Sequence, residues 1–292
     1  MGSLRNPAGW TGTYGLRPTW GAVPSEPKGD TFVHQLSTNG PMARTPTDLE
    51  RLLTVQAGPD PRQPYRVSLP AAESHPLRIA WLANWDGAYP MEPGVLDQCN
   101  GALEVLEGLG HEVVPCSPGF ASDALWVSWT TLRSWQVAMS LTAHVRGPQD
   151  RALLKPEGQW ELDRGLATTS TELHAASVAR SQWFAQAAHL FERFDALALP
   201  TAQCWPFDVT LDWPKDIAGA EMDTYHRWME VVVPASLIGL PALGMPAGFS
   251  DQGLPMGLQL IGPPQSDFSL IACAKAYHEA APWSGRRPVL EP

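Results

Sequence analysis

The sequence has no cysteine pattern to build on. Its four cysteines, Cys99, Cys116, Cys204 and Cys273, are scattered along 292 residues with no CxxC spacing and no histidine at metal-ligand distance in sequence. This excludes a disulfide framework or a zinc ribbon and reads as four reduced, mostly buried thiols. Charge is scarce as well. Only 17 % of residues are charged, 20 basic against 30 acidic, for a formal net charge of -10. Nowhere do Lys and Arg form a run that would track phosphates, so nucleic acid is not an expected partner. No apolar stretch reaches the length of a membrane span, and MGSLRNPAGW has neither the charged start nor the apolar run of a signal peptide. A cytoplasmic protein without membrane contact is expected. HExxH, a Walker loop, a GxGxxG after a strand and a GxSxG elbow are all missing. Metal, nucleotide and α/β-hydrolase chemistry lose their usual sequence support, and neither a metal site nor a cofactor is expected.

What is present is enough apolar residue, 44 %, for one large core. The first 41 residues are dense in Gly, Pro and Ser and predict loops and short strands lying across a larger scaffold. TPTDLERLLTVQAG then predicts a short helix capped by Thr45 or Thr47 and stopped by Gly58, followed by a Pro-rich surface linker. LRIAWL at Leu77–Leu82, an amphipathic helix over Pro93–Leu109 and HEVVP make one βαβ unit. Two long helices follow, over Ser122–Val145 and Thr169–Phe194, with Pro148 and Pro156 interrupting between them. Asp195–Pro200 predicts a strand, Met222–Leu237 a helix, PALGMPAG and LPMGLQLIG two strands, and Ser266–Ala281 a last helix. Such alternation predicts an α/β sheet with covered faces.

The opening string Met1-Gly2-Ser3-Leu4-Arg5-Asn6-Pro7 resembles the core of the amidase signature, a Gly-Gly-Ser-hydrophobic-Arg-x-Pro string that presents a catalytic serine. The likeness continues, in family order, through YGLRPTWG, LSTNGPMARTPTDLERLL, LRIAW, LEGLGHEVV, LALPTAQCWPF, MDTYHRWM, IGLPALGMPAGF, GLPMGLQLIGPP and the terminal PW-RRP element. It covers essentially the whole chain. The resemblance implies a large twisted mixed sheet with helices on both faces, residues 1–292 forming the C-terminal portion of a single amidase-signature domain. Its chemistry uses a serine nucleophile, a second serine on a cis peptide and a lysine. Ser3 matches the nucleophile. The cis-serine of the family lies in an upstream Gly-Ser-Ser-Gly-Gly string with the lysine further upstream still, and neither motif occurs in this chain. Lys28, Lys155, Lys215 and Lys275 all lack the family context of the base. Methionine fits the residue that the family places before the Gly-Ser pair, so Met1 reads as an internal residue taken as a start, and a longer protein is expected.

A serine hydroxyl is a weak nucleophile at neutral pH and needs a base within hydrogen-bond reach. By the resemblance, that base is a neutral lysine acting through the second serine, which later returns the proton to the leaving amine. Loss of both costs several orders of magnitude in rate, because such groups act as a unit. The 292 residues alone are therefore expected to show little or no amidase activity. Gly2 and Ser3 would supply oxyanion-hole N–H groups, with Met1 a mobile terminus. Arg5 reads as support under the nucleophile loop, pairing with backbone or carboxylate groups. Arg44 reads as a loop support outside the site. His34, His144, His226 and the other five histidines lack the spacing of a triad and read as surface or satisfied polar residues. Trp205, Trp213 and Trp228 fall in segments that border the substrate cleft if the resemblance holds, where they would favour aryl or other apolar amides, although packing is the ordinary use of tryptophan. Gly239, Leu240 and Pro241 are candidate neighbours of substrate in a stretch whose Gly and Pro more often mark close strand packing.

The function expected is hydrolysis of a small-molecule carboxamide through an acyl-Ser3 intermediate. Two alternatives stand beside it: an A subunit-like glutamyl-tRNA amidotransferase, and a non-catalytic remnant or binding protein that keeps the cleft. Faces left bare in a remnant would bring association or aggregation. A homodimer is compatible with the frequency of two-fold oligomers.

Overall fold

The computed structural model describes residues 2–26, 30–33, 35–72, 75–283 and 286. Met1, Lys28, His34 and most of the terminal RRP element lie outside the described residues. In chain order the elements are α1 (Arg5–Thr11), β1 (Tyr14–Arg17), β2 (Met42–Ala43), α2 (Pro46–Gln56), β3 (Arg78–Trp81), α3 (Val95–Gly108), β4 (Glu112–Pro115), α4 (Ser122–Thr142), α5 (Pro148–Ala152), α6 (Pro156–Ala167), α7 (Ser170–Phe191) and β5 (Ala196–Pro200). The hairpin β6 (Asp216–Ile217) and β7 (Ala220–Glu221) follows, then a 3-10 turn over Arg227–Val232, α8 (Val233–Ile238), β8 (Ala242–Phe249), β9 (Pro255–Ile261) and α9 (Asp267–Ala280).

The described residues build a mixed seven-stranded sheet in the order β2-β1-β8-β9-β5-β3-β4. The β3 strand pairs in parallel with β4 and β5, and the other neighbours run antiparallel. Both faces are covered, and the sequence shows why. Successive strand residues point to opposite faces. Ile79 and Trp81, like Ala196 and Ala198, join the core under α2, α3 and α9, whereas Ala80 and Leu82, like Leu197 and Leu199, join the core under α4, α7 and α8. A strand buried on both faces has to be a continuous apolar run, which is what LRIAWL and ALALP are.

Three expectations are corrected. Residues 5–11 form a helix rather than loop or strand, with Pro7 in its first turn, where a missing N–H costs nothing, and Gly12 ending it in the left-handed conformation. Pro148 and Pro156 do more than interrupt: each opens a helix of its own from the first helical position. The segment Met222–Leu237 is not one helix. Its φ/ψ values depart from helical at Met229, and α8 starts afresh with Pro234 in its first turn. Elsewhere the reading holds. Thr45 caps α2 by accepting from Asp48 N–H, and a full capping box at Thr169 and Glu172 opens α7. The α2 helix ends at Ala57 in extended conformation, one residue before Gly58. Among the described residues no helix is long and apolar enough to cross a membrane.

Candidate active site

Ser3 lies on the turn that leads into α1. Gly2 before it adopts φ +61°, and a Cβ there would stand 2.0 Å from Asn6 Oδ1. The positive φ favours glycine, and any side chain there would also have to displace the Asn6 amide. The Gly2 carbonyl accepts from Asn6 N–H at 2.9 Å and closes the first turn. Gly2, Arg5 and Asn6 are buried while Ser3 between them is exposed. The turn therefore has a fixed underside and keeps Ser3 at the surface.

The underside is built from the other end of the chain. Arg5 is 1 % exposed. Its guanidinium donates to Gln259 Oε1, to the Val232 carbonyl at 3.0 Å and to Ser236 Oγ at 2.6 Å. Gln259 in turn donates to the carbonyls of Pro200 and Val231. One side chain thus ties α1 to β9, the 3-10 turn and α8. Of the two kinds of partner expected for Arg5, backbone is found, whereas the side-chain partners are a neutral amide and a hydroxyl rather than a carboxylate. Burial, and then the charge of Arg17, holds this guanidinium well below its ordinary pKa. Asn6 reaches across to the Thr201 carbonyl.

The α1 helix can lie this close because its floor lacks side chains. A Cβ on Gly15 of β1 would stand 2.1 Å from the Leu4 carbonyl oxygen, one on Gly244 of β8 3.1 Å from Arg5 Cα, and one on Gly257 of β9 2.6 Å from Gly9 Cα. These strands are neighbours in the sheet. Glycine on each makes a smooth strip under the helix that follows the Ser3 turn.

The far end of α1 carries an aromatic cluster. Trp10 of α1 stacks on Trp228 with ring centroids 4.7 Å apart, and Phe207 meets both edge-on. Trp213 and Trp205 diverge from it. Trp205 lines a separate cavity of about 580 Å³ with Asp97, Phe249 and Asp251. Gly239, Leu240 and Pro241 lie past Ser236, joining α8 to β8. The Gly239 carbonyl accepts from Trp20 N–H and the Pro241 carbonyl from Gly262 N–H. Their contacts are packing and backbone joins, and the structure groups Gly2, Ser3 and Arg5 without them.

Other chemistry is limited. Among the described residues no three or more His, Cys, Asp or Glu side chains could hold a metal ion. The four thiols are free, and three are buried. Burial pushes Cys99 and Cys204 well up and Cys273 up to about 12, which leaves them protonated and poor nucleophiles. Lys275 is paired with Glu50, and Lys215 lies over the Trp213 ring. His226 departs from the ordinary reading. It is 4 % exposed, and its Nδ1 has no partner among the described residues.

A family model described as Amidase matches residues 1–271. An acylamidase of Rhodococcus erythropolis is 27 % identical over 98 % of this chain and 61 % of its own length. The A-type subunit of the glutamyl-tRNA(Gln) amidotransferase of Thermus thermophilus is 33 % identical over 96 % of this chain and 62 % of its own. Among solved structures, a bacterial aryl acylamidase of the amidase signature enzymes superposes with a TM-score of 0.88 at 28 % identity, over 99 % of this chain and 63 % of that one. The chain spans about three-fifths of the length of the relatives it matches.

Proposed function

From the premise that the chain belongs to the amidase family, we propose that it carries the nucleophile part of an amide-hydrolysing site acting on small carboxamides. Ser3 Oγ bonds to the substrate carbonyl carbon as its proton leaves, the C–N bond breaks as the amine takes up a proton, and water then splits the Ser3 ester to release the acid. The backbone N–H groups of Gly2 and Ser3 face the oxygen that gains charge. Arg5 holds the turn from below and takes no part in bond making. The base belongs to the lysine and second serine of the family, for which the 292 residues offer no match. The observation that carries this reading is the exposed Ser3 on a glycine-dependent turn fixed by Arg5.

The protein that carries this chain, challenged with an activated acyl ester, should gain the mass of one acyl group on Ser3. Its amide turnover should fall about 10⁴-fold or more in Ser3→Ala. Unchanged turnover in that variant would overturn the proposal. No labelling and no turnover in the protein as made in its source would favour the non-catalytic reading. The amidotransferase reading is supported by the 33 % identity to one component of such an enzyme, and co-purification with further subunits would select it. Absence of a membrane-spanning helix among the described residues is compatible with the expected cytoplasmic location.

A further inference from the structure

A cavity of about 200 Å³ lies between α4 and the segment that leads to Gly40. From α4 it is lined by Arg133, Gln136, Val137 and Leu141, whose spacing of three and four residues puts them on one helix face. Leu36 and Ser37 close the other side. None of its lining residues belongs to the Ser3 turn or to the cluster of Trp10, Phe207 and Trp228.

The walls are of two kinds. Leu36, Val137 and Leu141 offer branched aliphatic groups, whereas Arg133, Gln136 and Ser37 offer donors. Arg133 shares its Nε–H between Glu161 Oε1 at 2.6 Å and His226 Nε2 at 3.2 Å. The N–H groups of both its terminal nitrogens have no partner among the described residues, and the side chain keeps 30 % of its surface exposed. The side chains of Gln136 and Ser37 are likewise unpartnered among the described residues. Gln136 is half-buried and Ser37 exposed, so all three are open to a ligand.

The charge around the cavity is positive. Arg17 Nη1 donates to the Leu36 carbonyl at 3.0 Å and Arg180 Nη2 to Gln35 Oε1 at 3.3 Å, so two more guanidiniums touch the segment that forms one wall. Burial first, then the charge of Arg180, brings Arg17 down to about 10. Neither arginine pairs with a carboxylate among the described residues. Glu161 is buried and already held by Arg133 and Ser134, and it offsets only one of the three cations. An alkylammonium ion would meet like charge here. A bare phosphate or sulfate would leave the aliphatic wall without a partner. A carboxylate with an apolar tail satisfies both sides, because a planar carboxylate matches the guanidinium fork. A cavity of roughly 150 Å³ admits benzene, so a branched acid of about five carbons fits.

We infer that this cavity binds a small monocarboxylate with a branched aliphatic tail, its oxygens on Arg133, Gln136 and Ser37 and its tail on Leu36, Val137 and Leu141. Amide hydrolysis releases a carboxylate, and only the step from this site to binding of that product rests on the proposed function. The probes are 3-methylbutanoate and 4-methyl-2-pentanone, a neutral counterpart in which a methyl replaces one carboxylate oxygen. Binding to the protein that carries this chain is followed by calorimetry, and the bound position by NOEs from the ligand methyls to those of Val137 and Leu141.

The acid should bind about tenfold or more tightly than the ketone, as expected for charge-assisted hydrogen bonds. Gln136→Glu keeps the side-chain shape but sets a carboxylate one helical turn from Arg133, where it takes the fork itself. It should erase the preference and leave the ketone unchanged. Arg133→Gln combined with Glu161→Gln removes the pair together, so that no buried charge is left alone, and should erase the preference as well. Should that double variant fail to fold, Gln136→Glu decides alone. Ser3→Ala should bind both probes as the unchanged protein does. Equal binding of the two probes, a preference that survives in Gln136→Glu, or NOEs to other methyls in place of these would overturn the assignment, as would loss of binding in Ser3→Ala. If binding behaves as stated while Ser3→Ala leaves amide turnover intact, the carboxylate site stands and the proposed chemistry fails.

Discussion

A single methyl group at Gly257 would test how the serine is placed. A Cβ there would stand 2.6 Å from Gly9 Cα and 2.7 Å from Thr201 Oγ1, and the first of these is backbone that cannot rotate away. Gly257→Ala should destabilise by about 1–3 kcal/mol through overpacking, and it should slow acylation of Ser3 by tilting α1 off its floor. Gly101→Ala, in the exposed middle of α3 with nothing within 4 Å of the added carbon, should instead stabilise by about 1 kcal/mol. Denaturant melts with an acylation time course on both variants would check this, and an unimpaired Gly257→Ala would remove the floor from the account. At this scale the turn was open to reading, because Gly2, Ser3 and Arg5 lie within four residues of one motif. The burial of His226 was not, since Trp129, Arg133, Trp160 and Glu161 reach it from distant points and leave no spacing to recognise.

The elements were legible where burial alone decides and obscure where a distant anchor does. Strands β3 and β5 announce themselves as apolar runs. The α1 helix does not, because Asn, Pro and Gly have poor helix propensity and the segment is held by Arg5 and Asn6 bonding to residues 195 or more positions away. The break before α8 could have been placed from Pro234, which cannot sit in the interior of a longer helix. The β6–β7 hairpin shows a local conflict. Its two turn residues, Ala218 and Gly219, have φ of +52° and +83°, a turn in which asparagine is preferred at the first position. Ala218→Asn should therefore stabilise by about 0.5–1 kcal/mol, read as a small rise in Tm. A lower Tm would mean that the alanine methyl is wanted where it lies.

At the scale of the whole molecule, two buried groups pull stability in opposite directions with pH. Burial raises the Glu230 carboxyl from its ordinary 4.5 to about 8, Arg227 opposing and Asp123 and Asp223 adding. Between those values the folded chain holds a proton that the unfolded chain has lost, so stability falls as pH rises. His226 does the reverse: its folded pKa of about 3 lies below the ordinary 6.5, so stability falls as pH drops through that window. Glu230→Gln should remove the first slope, worth up to about 1.4 kcal/mol per pH unit, and leave the variant relatively more stable at pH 8 than at pH 5. Parallel unfolding curves for the two proteins at both pH values would refute it. The two-sided core and the order of strands and helices were open to inspection in the sequence, whereas the pairing of β1 with β8 across more than two hundred residues was not. That pairing, with the Arg5–Gln259 bond spanning 254 positions, also sets a timetable. At about 5–20 residues per second of synthesis, the partners of Arg5 follow it out of the ribosome by roughly ten seconds to a minute. During that interval the turn at Ser3 has its sequence but not the groups that hold it in place.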